Sequence, residues 1–499
     1  MITDSMFRNV SVQPENYSRK DDFSLPDSKR TYTHQFNTIY TQRVKQLKSR
    51  IFKMATAKWK DETINDIKTT YVSKILDVKN LTPCYIIGTV FADYKYKTNV
   101  LKEVSTNMYG VPESASSLKA KKDAQEEIKD IDVLRSSAYS DPSSDKLMIE
   151  DESGRILLDG ELLDSTVLVT GVMVGLLGME VEPGVFTIVD IVYPEAGEQV
   201  ERTIEEKQND KVLFLSGLKF TYGENVDNVS VAQLLKEYLM GELSFSDEDI
   251  KLLKSITNII ILGNSTDVSL ASSTNVKEKD KYREQNKSVF DADSMRQFDE
   301  FLSQLLKTIP VTILPGDSDP AETSLPKQPL HKSLFMKSSQ FTNFQRASNP
   351  CWLDIDESRL LCTSGENIDD IYKYMVPNLA VELGDSTELE SSIQNEVLYK
   401  SRLKLLEGTM KWQHILPTAP DTLWCYPFEN DDPFALKETP HVYAVGNQPK
   451  FETSCLKLDR KNGEEVAVRI IAVPEFCKTH EGVLLDMESL ECSVMKIGL

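Results

Sequence analysis

The sequence predicts a multidomain protein in which a small all-β barrel precedes a larger α/β domain. A chain of 499 residues is too long to form one ordinary hydrophobic core. Residues 71–200 contain short β-type runs separated by Gly, Asp and Pro, which is typical of strands joined by turns. From residue 201 onward, β-type runs alternate with amphipathic helical patterns, and this alternation favours an α/β domain.

The barrel is predicted from about five strands over roughly 110 residues, a number and spacing typical of a closed OB-type barrel. A polar stretch over residues 112–145 interrupts the series, and we expect it to form a long mobile loop. The predicted strands are CYIIGTVFADY (84–94), KLMIED (146–151), GRILLDGE (154–161), TVLVTGVMVGLLGME (166–180) and GVFTIVDIVYP (184–194).

The amino-terminal region is expected to contain a tail and a helix. Residues 1–30 are polar and are predicted to form a flexible tail, and residues 31–70 are predicted to form a helical segment. Val44, Leu47 and Ile51 recur at helical spacing, which predicts a helix from about residue 36 to residue 60. The basic residues of this stretch are expected on a solvated helix face, although a local nucleic-acid patch is an alternative interpretation.

The α/β domain is predicted to occupy residues 201–499. Apolar residues at helical spacing predict helices over 229–240 and around 298–306. The polar segments 268–290 and 379–397 are predicted to be loops. The predicted strands with their following loops are KVLFLSGL (211–218), NIIILGNSTD (258–267), VTILPGDSDP (311–320), ESRLLCTSGEN (357–367), HVYAVGNQPKF (441–451) and EEVAVRIIAVPEF (464–476).

The charge balance argues against autonomous nucleic-acid binding. The formal net charge is −21, whereas tight binding to DNA depends on a basic surface that displaces counterions from phosphates. One alternative stays open, because an OB barrel can stack single-stranded bases on aromatic side chains beside positive charge. That alternative depends on an aromatic run interleaved with lysines, namely Tyr85, Phe91, Tyr94, Lys95, Tyr96 and Lys97.

Targeting and cysteine patterns predict a soluble intracellular protein without membrane contact. No apolar run approaches the roughly 18–20 residues that a bilayer span requires. The amino terminus lacks the apolar core of a signal peptide. The seven cysteines are scattered without a Cys-x-x-Cys pair, so neither a zinc finger nor a disulfide framework is expected.

Each β-type run of the α/β domain ends in a polar, Gly-containing loop. The carboxyl ends of parallel strands collect at one edge of a sheet, where ligands usually bind, so we expect these loops to meet. The loops are Ser216-Gly217-Leu218, Gly263-Asn264-Ser265-Thr266-Asp267, Gly316-Asp317-Ser318-Asp319, Ser364-Gly365-Glu366-Asn367 and Gly446-Asn447-Gln448-Pro449.

This order of loops resembles the calcineurin-like metallophosphoesterases, whose loops read Asp-x-His, Gly-Asp-x-x-Asp, Gly-Asn-His-Asp and Gly-His-x-His. In such sites carboxylates and imidazoles hold two divalent ions about 4 Å apart. The resemblance implies a degenerate site, because the matching positions carry other side chains. Ser216 and Leu218 replace an Asp and a His, Asn264 replaces the bridging Asp, Ser318 replaces the catalytic His, and Asn447 and Pro449 replace the last two His, while Asp267, Asp317 and Asp319 keep acidic groups.

The histidines support the loss of the metal ligands. The chain has five, and none lies at a loop position that the motif requires: His34, His331, His414, His441 and His480. A weak single-ion site near His331 or His414 is a minor alternative. The sequence therefore predicts no catalytic residue, no metal and no cofactor. An active phosphatase or nuclease, the competing hypothesis, would show turnover stimulated by manganese.

An OB-type barrel followed by a ligand-stripped phosphoesterase domain resembles the B-subunits of eukaryotic replicative DNA polymerases, and within them the polymerase delta branch. The resemblance runs from about residue 30 to the carboxyl terminus. It is carried by stretches that include IEDESGRILLDG (149–160), TGVMVGLLGMEVEPGVFTIVDI (170–191), ILPGDSDPAETSLPKQPLHKSLF (313–335) and MKWQHILPTAPDTLWCYPF (410–428).

This resemblance implies a non-catalytic scaffold in the nucleus that acts in DNA replication and repair. It implies binding to the cysteine-rich C-terminal domain of the catalytic subunit and, on the barrel side, to a further accessory subunit. It also implies sharing with the translesion polymerase zeta, and contact with DNA only through the complex. Trp424, Tyr426 and Phe428 lie in a proline-stiffened aromatic stretch and are candidate partner contacts. Trp412 has a helical pattern around it and is expected in the core.

Overall fold

The computed structural model describes residues 15–16, 23–25, 30–33, 35–97, 137–202, 210–221, 226–243, 246–267, 290–376, 401–461 and 463–498. The first described strand is β1 (Glu15–Asn16), and it is followed by helix α1 (Asn37–Trp59), as the apolar spacing predicts. One face of α1 is buried at intervals of four residues and consists of Ile39, Arg43, Leu47, Ile51, Ala55 and Trp59. A short hairpin of β2 (Thr63–Ile64) and β3 (Ile67–Lys68) comes next.

Six strands and a short helix build a closed barrel. The strands are β4 (Thr70–Tyr71), β5 (Cys84–Asp93), β6 (Lys146–Glu150), β7 (Arg155–Asp159), β8 (Met173–Glu182) and β9 (Val185–Val192), and α2 (Leu162–Ser165) lies between β7 and β8. Their order is β4-β5-β6-β7-β9-β8, and an antiparallel pairing of β5 with β8 closes the sheet on itself. Closure leaves few free strand edges, which otherwise template aggregation.

Alternation along β5 and β8 divides their side chains between the barrel interior and α1. Ile86 and Val90 lie in the core that fills the barrel. Tyr85 and Ile87, on the opposite face of β5, pack against α1 through Trp59 and Ile51 respectively. This period of two is the reason that a strand can be apolar on both faces and still separate two cores.

The second domain is a sandwich of two six-stranded sheets flanked by helices. Its strands are β10 (Lys211–Leu215), β11 (Ile256–Leu262), β12 (Val311–Leu314), β13 (Phe344–Arg346), β14 (Cys351–Ile355), β15 (Ser358–Thr363), β16 (Val442–Gln448), β17 (Glu452–Asp459), β18 (Glu465–Pro474), β19 (Glu481–Asp486) and β20 (Cys492–Lys496). Its helices are α3 (Val226–Met240), α4 (Asp247–Ser255), α5 (Ala292–Leu305), α6 (Glu366–Met375), α7 (Leu403–Lys411) and α8 (Phe476–Thr479).

The two sheets pack face to face through an apolar layer. The first sheet has the order β13-β12-β11-β10-β19-β20, and the second has the order β1-β14-β15-β16-β18-β17. Phe214 and Ile260 of the first sheet share one buried cluster with Val442 and Ile471 of the second. Helices α3 and α5 cover the outer face of the first sheet, while α6 and α7 pack in a core that continues into the barrel. Central strands buried on both faces explain the continuous apolar runs in the sequence.

Two segments depart from the expectation of mobility. Phe23, in the predicted tail, is fully buried and stacks on Phe434 with a ring distance of 5.9 Å. Tyr139, in the predicted loop 112–145, is buried, and its hydroxyl donates a 2.9 Å hydrogen bond to Asp370. Both aromatic side chains find distant apolar partners that local composition does not reveal. The predicted loop residues 112–136, 268–289 and 379–397, together with His34, lie outside the described residues.

The expectation of a fully solvated basic face on α1 is wrong for two arginines. Arg43 is buried, and Arg50 is half-buried between the two domains. The Arg50 guanidinium donates to the carbonyls of Glu195 and Leu436 and to the Gln413 side chain. Burial lowers the pKa of Arg50 to about 10, against the opposing charge of Glu195. A polar residue with several carbonyl partners can therefore occupy the interior face of a helix.

Candidate functional site

The five strand-end loops lie together at one edge of the sandwich, and we call them the strand-end cluster. Strands β10, β11 and β12 are parallel neighbours in the first sheet, and β15, β16 and β18 are parallel neighbours in the second. Their carboxyl ends therefore meet. Gly263 has a φ of +78°, and a Cβ added to it would lie 2.8 Å from the Cβ of Ser364. The loops of the two sheets are in such close contact that only glycine fits there.

Asn447 joins the two sheets within the strand-end cluster. Its backbone N–H donates a 2.9 Å hydrogen bond to Ser216 Oγ, which itself donates to the carbonyl of Pro474 at 2.9 Å. The Asn447 side-chain amide donates to the carbonyl of Leu262 at 3.1 Å and to that of Ser364 at 2.7 Å. The polar groups of Ser216 and Asn447 are therefore used as internal cross-links.

Asp319 is a buried acceptor for the backbone around it. One carboxylate oxygen accepts from the N–H of Gly316 at 2.8 Å, and the other accepts from the N–H of Thr266 at 2.9 Å. Burial raises the pKa of Asp319, although these hydrogen bonds oppose the shift. Ser318 is also buried; its hydroxyl donates to the carbonyl of Thr266 at 2.6 Å, and its N–H donates to Asn264 Oδ1 at 3.1 Å.

A lysine ammonium lies among the remaining oxygens of the strand-end cluster. Lys327 is 2% exposed, and its Nζ donates to the carbonyl of Gly316 at 3.1 Å. The same Nζ lies 3.0 Å from Glu366 Oε1 and 3.9 Å from Asp317 Oδ1. Burial raises the pKa of Glu366 to about 7, and the nearby Lys327 charge opposes that rise. The acidic groups of the cluster are thus paired with a positive charge supplied by the chain.

Asn349 completes this arrangement. Its side-chain amide donates to Ser364 Oγ at 2.6 Å and to Glu366 Oε1 at 3.2 Å. Its backbone exchanges two hydrogen bonds with Lys327, of 2.8 and 2.9 Å, and these fix the position of the lysine segment. Sequence reasoning missed both Lys327 and Asn349, because neither lies in a strand-end loop and a single lysine in a loop is usually solvated.

The structure unites six of the nine predicted loop residues in hydrogen bonds or close ion pairs of the cluster. They are Ser216, Asn264, Asp317, Ser318, Asp319 and Asn447. Leu218 is instead buried in the apolar core beneath α3 and α5. Asp267 is half-buried and donates its backbone N–H to Phe220, while Pro449 is exposed. The polar substitutions therefore concentrate where the loops of the two sheets touch.

The described histidines lie apart from this arrangement. His331 is exposed and pairs with Ser333, and His441 contacts the carbonyl of Val200. His414 is buried beside Asp432 at 2.8 Å. None of these contacts involves a loop of the strand-end cluster. A His331 or His414 ion site therefore receives no support from the geometry.

The chemistry of the donors does not fit a binuclear metal centre. Among the described residues, no group of three or more His, Cys, Asp and Glu side chains is placed to hold a metal ion. A pair of divalent ions needs bridging carboxylates and several further ligands. In the strand-end cluster Asp319 is saturated by backbone donors, and Asp317 and Glu366 face Lys327. The arrangement can hold loops together, but it offers no nucleophile or general acid in a metal site.

The aromatic side chains of the barrel are mostly engaged within the chain. Tyr85 is buried against Trp59, and Tyr94 packs on Tyr374 with a ring distance of 5.7 Å. The Phe91 ring has Lys97 Nζ 4.4 Å and Arg155 Cζ 4.1 Å from its centroid. These contacts occupy the ring faces that base stacking would require, which argues against a nucleic-acid platform.

The aromatic stretch proposed for partner contact is partly internal. Tyr426 is buried, its hydroxyl accepts from the N–H of Thr31 at 2.9 Å, and its ring lies 5.1 Å from Phe428. Trp424 and Phe428 are half-buried, and Trp412 is fully buried in the core. The Tyr426 side chain is therefore committed to packing on the amino-terminal segment, whereas contact of Trp424 or Phe428 with a partner stays a prediction.

No described helix has the length and apolarity that crossing a membrane demands.

Comparison with known proteins matches both domains of the chain. The family model for the DNA polymerase delta subunit OB-fold domain matches residues 35–191, and the family model for the B-type subunit of DNA polymerase alpha/epsilon matches residues 212–453. The DNA polymerase delta small subunit of Saccharomyces cerevisiae is 36% identical, with 98% of this chain and 95% of the relative covered. The small subunit of Arabidopsis thaliana is 32% identical over 93% and 91% of the two chains, and subunit 2 of Drosophila melanogaster is 28% identical over 94% of each.

Proposed function

The chain belongs to the family of DNA polymerase delta small subunits, and on that basis we propose that it is the non-catalytic scaffold of that polymerase. In this role it binds the cysteine-rich C-terminal domain of the catalytic subunit and a further accessory subunit. DNA is reached only through the assembled complex. The observation that carries the proposal is the strand-end cluster, whose oxygens are occupied by internal hydrogen bonds and by Lys327.

The cluster also supports the proposal that the sandwich domain is an inactive calcineurin-like phosphoesterase. Two sheets with parallel strands bring the loops to one edge, as an active site of that class requires. The positions that would ligate metal carry Ser216, Asn264, Ser318 and Asn447, which serve as cross-links. The frame thus supplies rigid surfaces for protein contact without hydrolytic chemistry.

We also propose the wider role that accompanies such a scaffold. The same subunit would serve polymerase zeta, and so act in translesion synthesis and repair as well as in replication, within the nucleus. Co-purification of the tagged chain from a nuclear extract tests this role. Recovery of both catalytic subunits would support sharing, whereas recovery of the delta subunit alone would contradict it.

Asp317→Ala is expected to leave DNA synthesis by the assembled polymerase nearly unchanged. Asp317 is the most accessible acidic group of the strand-end cluster, with 28% of its side chain exposed, yet the proposal gives it no chemical step. The measurement is primer extension by a complex that is reconstituted from purified subunits and checked for stoichiometry. A large loss of synthesis in a folded and fully assembled Asp317→Ala complex would count against a purely structural role.

An exposed apolar patch on the barrel supports the proposed accessory contact. Leu76, Leu81 and Val181 are 72%, 62% and 46% exposed, respectively. Leu81 and Val181 are neighbours, because the N–H of Leu81 donates to the carbonyl of Glu180 at 2.8 Å. Apolar side chains grouped at a surface are costly in water and favour burial against another protein. We therefore place the further accessory subunit on this patch.

The double variant Leu81→Asp/Val181→Asp is expected to lose the accessory subunit while keeping the catalytic subunit. Charges in the patch would have to be desolvated on binding, which weakens the complex by orders of magnitude. Met336→Asp is the matched control, because Met336 is 78% exposed on the sandwich domain. Pull-down with quantified subunit ratios measures both. Retention of the accessory subunit by the double variant would place its binding surface elsewhere.

A further inference from the structure

One positive charge is enclosed within the strand-end cluster. The Lys327 side chain is among the largest fully buried side chains of the described residues, although lysine is almost never buried without a partner. It does not belong to any of the five loops. Its backbone is fixed by two hydrogen bonds to Asn349, and its ammonium reaches into the cluster. A buried ammonium of this kind must be held by acceptors.

The acceptors come from loops of both sheets. The Gly316 carbonyl, 3.1 Å from Nζ, follows β12 of the first sheet. Glu366 Oε1, 3.0 Å from Nζ, follows β15 of the second sheet. Asp317 adds a second carboxylate at 3.9 Å. The ammonium therefore bridges the two sheets at the point where their loops face each other, and the charges of two acids and one base partly compensate.

A divalent ion in a phosphoesterase pocket performs the same bridging task, since it draws carboxylate and carbonyl oxygens of different loops to one point. We propose that Lys327 is a built-in cation that takes over this structural task, so that the strand-end cluster is held together without metal and excludes divalent ions by charge repulsion. The comparison with a metal pocket rests on the phosphoesterase likeness proposed above. The bridging role of the ammonium rests on its own contacts.

The test compares Lys327→Met with Lys332→Met in the full chain. Methionine keeps most of the lysine volume and removes the charge, and Lys332 is an exposed lysine nearby in the sequence. Thermal unfolding is measured with EDTA and with Mn²⁺, and bound metal is measured after gel filtration. We expect the wild-type midpoint to be the same in both buffers with no retained manganese. Lys327→Met should unfold several degrees lower, and Lys332→Met should match the wild type.

The charge itself is tested by the double variant Lys327→Met/Glu366→Gln. Removing the carboxylate that Lys327 contacts should recover part of the lost midpoint, because the amide no longer needs a cation. This variant also serves if Lys327→Met alone does not yield folded protein. Stoichiometric manganese in the wild type, a Lys327→Met midpoint equal to that of Lys332→Met, or no recovery in the double variant would each overturn the inference. Loss of partner binding by an otherwise normal cluster would instead concern the scaffold proposal.

Discussion

Arg43→Ala is expected to destabilise the chain by about 3–5 kcal/mol, because it leaves a carboxylate buried without its cation. The Arg43 guanidinium is 1% exposed and donates to Asp432 Oδ2 at 2.9 Å. It also donates to the carbonyls of Pro417 and Ala419 at 2.8 Å each and of Gly171 at 3.2 Å. One side chain of α1 thus connects the barrel with the sandwich domain, and alanine would leave all four acceptors without this donor.

The comparison variants for this site are Arg43→Lys and Lys45→Ala. Lysine keeps the charge but lacks the forked geometry that reaches several acceptors at once, so an intermediate loss is expected. Lys45 lies on the exposed face of α1, and its truncation should change the urea midpoint little. Urea unfolding followed by tryptophan fluorescence gives the three midpoints. Equal midpoints for Arg43→Ala and Lys45→Ala would contradict the assignment of Arg43 as an interdomain clamp.

Acidification from pH 6.5 to pH 4 is expected to remove about 3 kcal/mol of stability through His414. Burial and the nearby Arg43 charge lower the pKa of His414 from 6.5 to about 4. The hydrogen bonds agree with a neutral ring, because Nε2 lies 2.8 Å from Asp432 Oδ2 while Nδ1 accepts from the N–H of Leu416 at 3.2 Å. The unfolded state takes up a proton below pH 6.5 and the folded state does so only near pH 4. Stability therefore falls as the pH falls through that window.

The contribution of His414 is isolated by comparing the pH dependence of unfolding in His414→Gln and His331→Gln. Glutamine cannot titrate, so the first variant should lose less stability than the wild type between pH 6.5 and pH 4. His331 is exposed, and its replacement should leave the pH dependence as it is. Carboxylates titrate in the same range in all three proteins and cancel in the comparison. Parallel curves for wild type and His414→Gln would refute the assignment.

The elements of the fold follow closely from the sequence pattern, whereas the pairing of polar groups does not. Helix α1 and strands β5, β6, β7 and β9 lie within one or two residues of the predicted segments. Apolar periodicity reports which face of an element is buried, and that information is local. It does not report how strands divide between two sheets. The sandwich arrangement of the second domain therefore goes beyond the prediction, which reaches only as far as an α/β domain.

The candidate site shows the same division. The meeting of the strand-end loops is predictable, because parallel strands place their carboxyl ends at one edge. The cation inside the cluster is not predictable, because Lys327 lies outside the loop motifs and meets Glu366 only in the folded chain. Arg43 is likewise 389 positions from Asp432 in sequence.

The strands, the helices and the polar loops that end the strands can be read from the sequence alone, since they depend on neighbours a few residues apart. Which charges are buried is settled only in the folded chain. Burial of a charge depends on acceptors from distant segments that offset its desolvation. For Lys327 and Arg43 those acceptors come from several separate loops, and no local pattern announces them.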